Sequence, residues 1–145
     1  MKKIIILAIT ITTLVACNSK KIVSDPGTDP ASLNGSWELT YIAGTRAAVN
    51  ELYANKKPLV NFNLSESIAN GNTGCNSFTG KIGSLSPGKI TFDENMAMTK
   101  MFCEGQGETV FLDNVKKIKA FSFSENGNTL HLTNGDIDLM RLTKK

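Results

Sequence analysis

Histidine is nearly absent: His131 is the only one in 145 residues. A metal centre draws on several His, Cys or carboxylate ligands at regular spacing. No such cluster exists here, so neither a metal nor another cofactor is expected. An excess of one charge is missing too. Of 16 Lys and Arg, Lys2 and Lys3 leave with the N-terminal leader argued below, so 14 remain against 13 Asp and Glu and the net charge falls from +3 to about +1. A nucleic-acid-binding domain carries a basic excess or stripe, so nucleic acid is not an expected partner. There is no Cys-x-x-Cys pair. Gly105-Gln106-Gly107 is too short for a phosphate loop and lacks its Lys-Ser/Thr ending. Composition is compatible with a Ser-His-Asp trio, but no nucleophile-elbow sequence is present. His131 lies between Leu130 and Leu132 on a predicted strand and so points to the face opposite theirs. The chain does not read as an enzyme.

Long hydrophobic runs are also missing, with one exception. Lys2 and Lys3 precede an uncharged stretch, residues 4–16, broken only by Thr10, Thr12 and Thr13. As a helix it would rise about 20 Å, short of the roughly 30 Å hydrocarbon core of a bilayer. It reads as a cleaved signal peptide, residues 1–16. Leu14-Val15-Ala16-Cys17 looks like a lipobox, the site of the lipoprotein signal peptidase. Cys17 is therefore the expected lipidation site and first mature residue, with acyl chains such as palmitate anchoring it at about 0.8 kcal/mol per buried methylene. Asn18 follows, where an Asp would resemble an inner-membrane retention signal. The expected location is the periplasmic face of an outer membrane. Residues 17–32 contain Pro26, Gly27 and Pro30 among Ser, Asp and Thr, and read as a tether.

Residues 33–145 form one domain with mostly strand patterning. Ser36–Ile42 alternates, placing Trp37, Leu39 and Tyr41 on one face. Residues 58–64 give Val60, Phe62 and Leu64 a shared face, and residues 78–85 and 89–93 are further strands. Residues 120–124, 129–132 and 137–142, joined at Asn126-Gly127 and Asn134-Gly135, read as a three-stranded meander. The apolar parity shifts between Leu139 and Met140, which predicts a bulge. One helix is expected over residues 108–119, with Phe111, Val115 and Ile118 spaced i, i+4, i+7 and Leu112 beside them. Lys116, Lys117 and Lys119 fit its solvated face. Glu104 and Glu108 flank its start; an acid–base pair is one reading and capping or dipole groups the other. The fold class is mainly β: an antiparallel, barrel-like or half-barrel sheet with one packing helix. An apolar groove between sheet and helix is one expectation for the interior, a fully packed core the other.

Gly74-Cys75-Asn76-Ser77-Phe78-Thr79-Gly80, followed by Thr99-Lys100-Met101-Phe102-Cys103 and the acidic Glu108 at a helix start, resembles the META domain (HslJ-like) family. The matching positions are Gly74, Cys75, Asn76, Phe78, Gly80, Thr99, Lys100, Met101 and Cys103, and the opening Leu33-Asn34-Gly35-Ser36-Trp37 is similar as well. Residues 43–57 depart from the family's short turn, being longer and more polar. The resemblance implies about eight strands with a helix, envelope-stress settings and no established enzymatic activity. Taken alone, Gly71, Gly74 and Gly80 fit tight turns, Asn76 a turn staple, and Phe78, Met98 and Met101 the core; a ligand clamp is the functional alternative. With Cys17 acylated, Cys75 and Cys103 remain, an even count in an oxidising compartment. A structural disulfide is expected, the alternative being two buried thiols. The expected function is a non-catalytic binding module for an envelope protein or apolar ligand. A redox-active protein using Cys75 and Cys103 is the competing reading.

Overall fold

The computed structural model describes residues 27–145. The expected signal segment, Cys17 and residues 18–26 of the expected tether lie outside the described residues. Eight antiparallel strands follow one another in space as in sequence: β1 (Gly35–Ile42), β2 (Leu59–Asn63), β3 (Ile68–Asn72), β4 (Ser77–Ser86), β5 (Lys89–Met98), β6 (Ala120–Ser124), β7 (Thr129–Asn134) and β8 (Ile137–Lys144). β8 pairs back onto β1, so the sheet closes into a barrel-like ring. The seam is thinnest at β5 and β6, which share only the pair Lys89↔Ala120. A short helix, α1 (Val49–Leu52), precedes β2, and the longer α2 (Gly107–Val115) lies between β5 and β6.

The alternating residues of β1, β2, β7 and β8 fill the ring. Trp37, Leu39, Val60, Phe62, Leu130, Leu132, Met140 and Leu142 are all buried. Phe111 of α2 is fully buried and meets Phe78 with ring centroids 5.7 Å apart. Burying such a side chain contributes about 1.5–3 kcal/mol. Ile118 is buried although α2 ends earlier than the periodicity predicts. Lys117 N–H donates to Asn114 O and Ile118 N–H to Val115 O, tightening the last turn, and Lys119 N–H then donates to Thr133 O and starts the sheet again. Val60, Phe78, Phe92, Phe111, Val115, Ile118, Leu132 and Met140 leave a space of only about 10 Å³ between sheet and helix. That is about one water's worth. The packed core, and not the apolar groove, is what the structure contains.

Two bulges change which residues face inward. In β8, Leu132 opposes Met140 and Thr133 opposes Asp138, so Leu139 is the extra residue where the parity shift predicts it. In β1, Leu39 opposes Leu142 and Tyr41 opposes Arg141, leaving Thr40 as an extra residue. This turns Tyr41 outward, where the Arg141 guanidinium sits 4.3 Å from its ring centroid, and turns Ile42 into the core. The expectation that Trp37, Leu39 and Tyr41 share a face therefore fails at Tyr41.

The two ends of the ring differ. At one end the chain enters: Gly88 N–H donates to Thr28 O, Phe123 N–H to Gly27 O, and the 3-10 turn Pro30–Leu33 accepts the Trp37 indole N–H on Leu33 O at 2.7 Å. Packing thus already includes Gly27 and Thr28, several residues before Leu33. At the other end, α1, the β3–β4 turn, the loop after β5 and the start of α2 come together.

Candidate functional site

The cluster at that second end grows from one turn. Asn72 Oδ1 accepts from Gly74 N–H, and Thr73 Oγ1 accepts from Asn76 N–H. Both are side chain-to-backbone staples of the kind Asn and Thr make in turns. Gly74 has φ +95°, and a Cβ there would stand 2.4 Å from Tyr53 Cδ1. The turn needs glycine for its backbone and for its neighbour. Tyr53 follows α1, lies in the polar insertion 43–57, and is itself buried. Its hydroxyl donates to Gly107 O at 2.8 Å, and burial raises its pKa well above the usual phenol value, so it stays protonated. The insertion therefore carries the plug that joins the β3–β4 turn to the start of α2.

Asn76 is the hub. It is 2% exposed, and its carbonyl oxygen accepts from Thr99 Oγ1 (2.7 Å) and Met101 N–H (2.8 Å). Its amide donates to Met101 O and Glu108 Oε2, each at 3.1 Å. Glu108, in the first turn of α2, also accepts from Thr73 Oγ1 at 2.7 Å. Its carboxylate is therefore committed to holding the loop and turn together. The acid–base reading of Glu104 and Glu108 gains nothing from this geometry, because Glu104 is exposed and Glu108 is fully engaged. Cys75 and Cys103 form a disulfide with Cα atoms 6.0 Å apart. It pins the loop to the turn a second time.

Of the nine matching motif residues, Gly74, Cys75, Asn76, Thr99, Lys100, Met101 and Cys103 assemble here. Phe78 instead enters the core. Gly80 sits within β4, opposite Ala69 and Met96, and not in a turn. A Cβ at Gly80 would lie 2.9 Å from Met96 Cγ, so glycine there makes room for a side chain. Met98 is half-buried against the core, but Met101 is 60% exposed, contrary to the core role its type suggests. Phe102 is 89% exposed. The loop stands between two clefts. One, of about 410 Å³, is walled by Tyr53, Lys56, the disulfide, Phe102 and Glu104. The other, of about 400 Å³, is walled by Asn76, Met96, Met98, Lys100 and Glu108. The sequence pattern offers no sign of Tyr53 or Thr73 as site residues, and Phe102 falls on the family motif's variable position.

A second polar cluster lies on the outward face of β6–β8. Ser124 Oγ is 2.9 Å from His131 Nε2, whose Nδ1 is 3.1 Å from Asp138 Oδ2. This is the connectivity of an acyl-transfer trio, and His131 does point away from the Leu130 and Leu132 face. The aspartate of such a trio is buried with the imidazole as its one cationic partner. Asp138 is 36% exposed and also faces Arg141 Nε at 3.5 Å. The cluster reads as a surface network. Among the described residues there is no group of three or more His, Cys, Asp or Glu that could hold a metal.

The family follows from comparison with known sequences. The META domain model matches residues 31–145, and this chain belongs to the META domain family. No curated protein matches the sequence. Among solved structures, the chain is similar to a protein from Burkholderia xenovorans determined by NMR (20% identity, 97% of this chain and 99% of that one, TM-score 0.61). It is also similar to a DUF4847 family protein from Bacteroides vulgatus seen in a crystal structure (12% identity, 78% and 94% covered, TM-score 0.52). At these identities the likeness is one of fold.

Proposed function

We propose that the chain is a lipid-anchored protein of the bacterial envelope, held by Cys17 at the periplasmic face of the outer membrane, and that its META domain is a non-catalytic binding module serving envelope stress. The recognition surface is the loop Lys100–Gly105 with its flanking clefts. One observation carries this reading: an aromatic side chain 89% exposed to water sits on a loop fastened by a disulfide and by Asn76. An exposed apolar group on a braced loop is preorganised for a partner and loses little entropy on binding. The apolar-ligand reading of the interior has no support, since the core is filled. The redox reading draws on the position of both sulfurs in a cleft wall, but their separation of 28 residues is unlike the Cys-x-x-Cys of thiol exchangers.

Phe102→Ser tests the recognition surface without disturbing the fold. Its unfolding midpoint is expected to match the parent's, because exposed substitutions change stability by about 0.5 kcal/mol or less. Cells carrying it are expected to behave as a deletion strain does under envelope stress. Parental behaviour in those cells would refute the reading.

A further inference from the structure

Met101 and Phe102 form an apolar tip, 60% and 89% exposed, at the edge of the 410 Å³ cleft. A small ligand seated in that cleft meets one side of the tip and leaves the rest of the Phe102 ring in water. What covers it must bring its own socket, which leaves two candidates: the bilayer that holds the anchor, or a protein. The fold separates them. The chain enters the ring at Gly27, beside Gly88 in the β4–β5 turn. From that turn β5 runs away through Lys89 to Met98, and the tip follows it. At about 3.3 Å per residue the tip stands roughly 30 Å from the point of entry. Cys17 and Gly27 are ten residues apart, a span of at most about 35 Å fully extended and about 17 Å as a coil. With the ring upright and Phe102 pointed into the headgroups, Gly27 would stand roughly 30 Å above them, and the ten residues from Cys17 would have to be almost fully stretched.

We infer that the Met101–Phe102 tip is held at the membrane-distal end of the anchored protein, and that its occupant is a protein surface in the envelope lumen. That surface offers an apolar socket with polar groups at its rim to meet Lys100 and Glu104. This rests on the lipid-anchor reading above. The bilayer is the alternative occupant.

The test uses the full mature chain, lipidated and isotope-labelled, on bilayer discs of phosphatidylethanolamine and phosphatidylglycerol doped with a gadolinium-chelating lipid. Amide signals of Gly88, Asn128 and Lys144 are expected to broaden, while those of Met101, Phe102 and Cys103 stay sharp. Equal or greater broadening at the loop, in a chain whose mass includes the lipid, overturns the inference while leaving the anchor intact. A mature chain without lipid removes both. In cells, p-benzoylphenylalanine in place of Phe102 is expected to give a protein adduct of discrete size that the same group in place of Ser86 does not. A lipid adduct at position 102, or none, overturns the choice of a protein.

Discussion

Asn76 concentrates more of the site than any other side chain. It meets the loop twice through Met101, once through Thr99 and once through Glu108, and it is almost wholly buried. Removing the amide leaves a carboxylate and two backbone groups short of partners, and such loss costs more than an average hydrogen bond. Asn76→Ala is expected to lower stability by about 2–3 kcal/mol, read from urea unfolding. Loss below 0.5 kcal/mol would mean that water replaces the amide without penalty. Gly74 is constrained differently. Ala there meets both a left-handed backbone and the Tyr53 ring, so Gly74→Ala is expected to cost about 2–4 kcal/mol. Coupling to Tyr53→Ala, measured by a double-mutant cycle, separates the ring clash from the backbone strain. If Gly74→Ala costs the same in both backgrounds, the ring plays no part. At this scale the motif residues could be picked from the sequence, but not their partners. Tyr53 lies 21 residues before Gly74 in a stretch with no periodicity, and only the folded ring brings them together.

At the scale of elements, the sequence pattern anticipates the meander of β6, β7 and β8 within two residues at each end, because each strand alternates cleanly and each turn carries Asn-Gly. Even there the two turns differ. Ser124 pairs with Thr129 across a four-residue loop in which Glu125, Asn126 and Gly127 all have positive φ, whereas Asn134 pairs directly with Ile137 and Gly135 alone of that turn has positive φ. β3 escapes the pattern. Its sequence Ile-Ala-Asn-Gly-Asn carries only two apolar residues, and Gly71 is there because a Cβ would collide with Leu59 O in the neighbouring strand. The second half of β5 is hidden for another reason. The register jumps from Ile82↔Phe92 to Gly80↔Met96, so Lys81 opposes three bulged polar residues, Asp93, Glu94 and Asn95, which read as a loop. The disulfide belongs to this scale because it joins the β3–β4 turn to the loop after β5. Closing that loop removes denatured-state entropy equivalent to about 3.6 kcal/mol in the chain-entropy model. Replacing both cysteines by Ser is expected to cost about 2–4 kcal/mol, and the denatured, unreduced, lipidated protein is expected to show no titratable thiol. Two thiols would remove the bridge.

The whole molecule is a packed ring with different ends. Its interior is closed to ligands, its outward Ser124–His131–Asp138 cluster is shared with Arg141, and its braced loop carries the exposed aromatic. A fluorophosphonate probe is accordingly expected to leave Ser124 unlabelled; specific labelling lost in His131→Gln would instead make the cluster catalytic. Preorganised recognition requires the loop to be rigid before any partner arrives. Backbone nitrogen relaxation of Met101, Phe102 and Cys103 in the oxidised protein tests this most directly. Order parameters of about 0.85, as in ordered backbone, are predicted; values below about 0.6 would contradict the account.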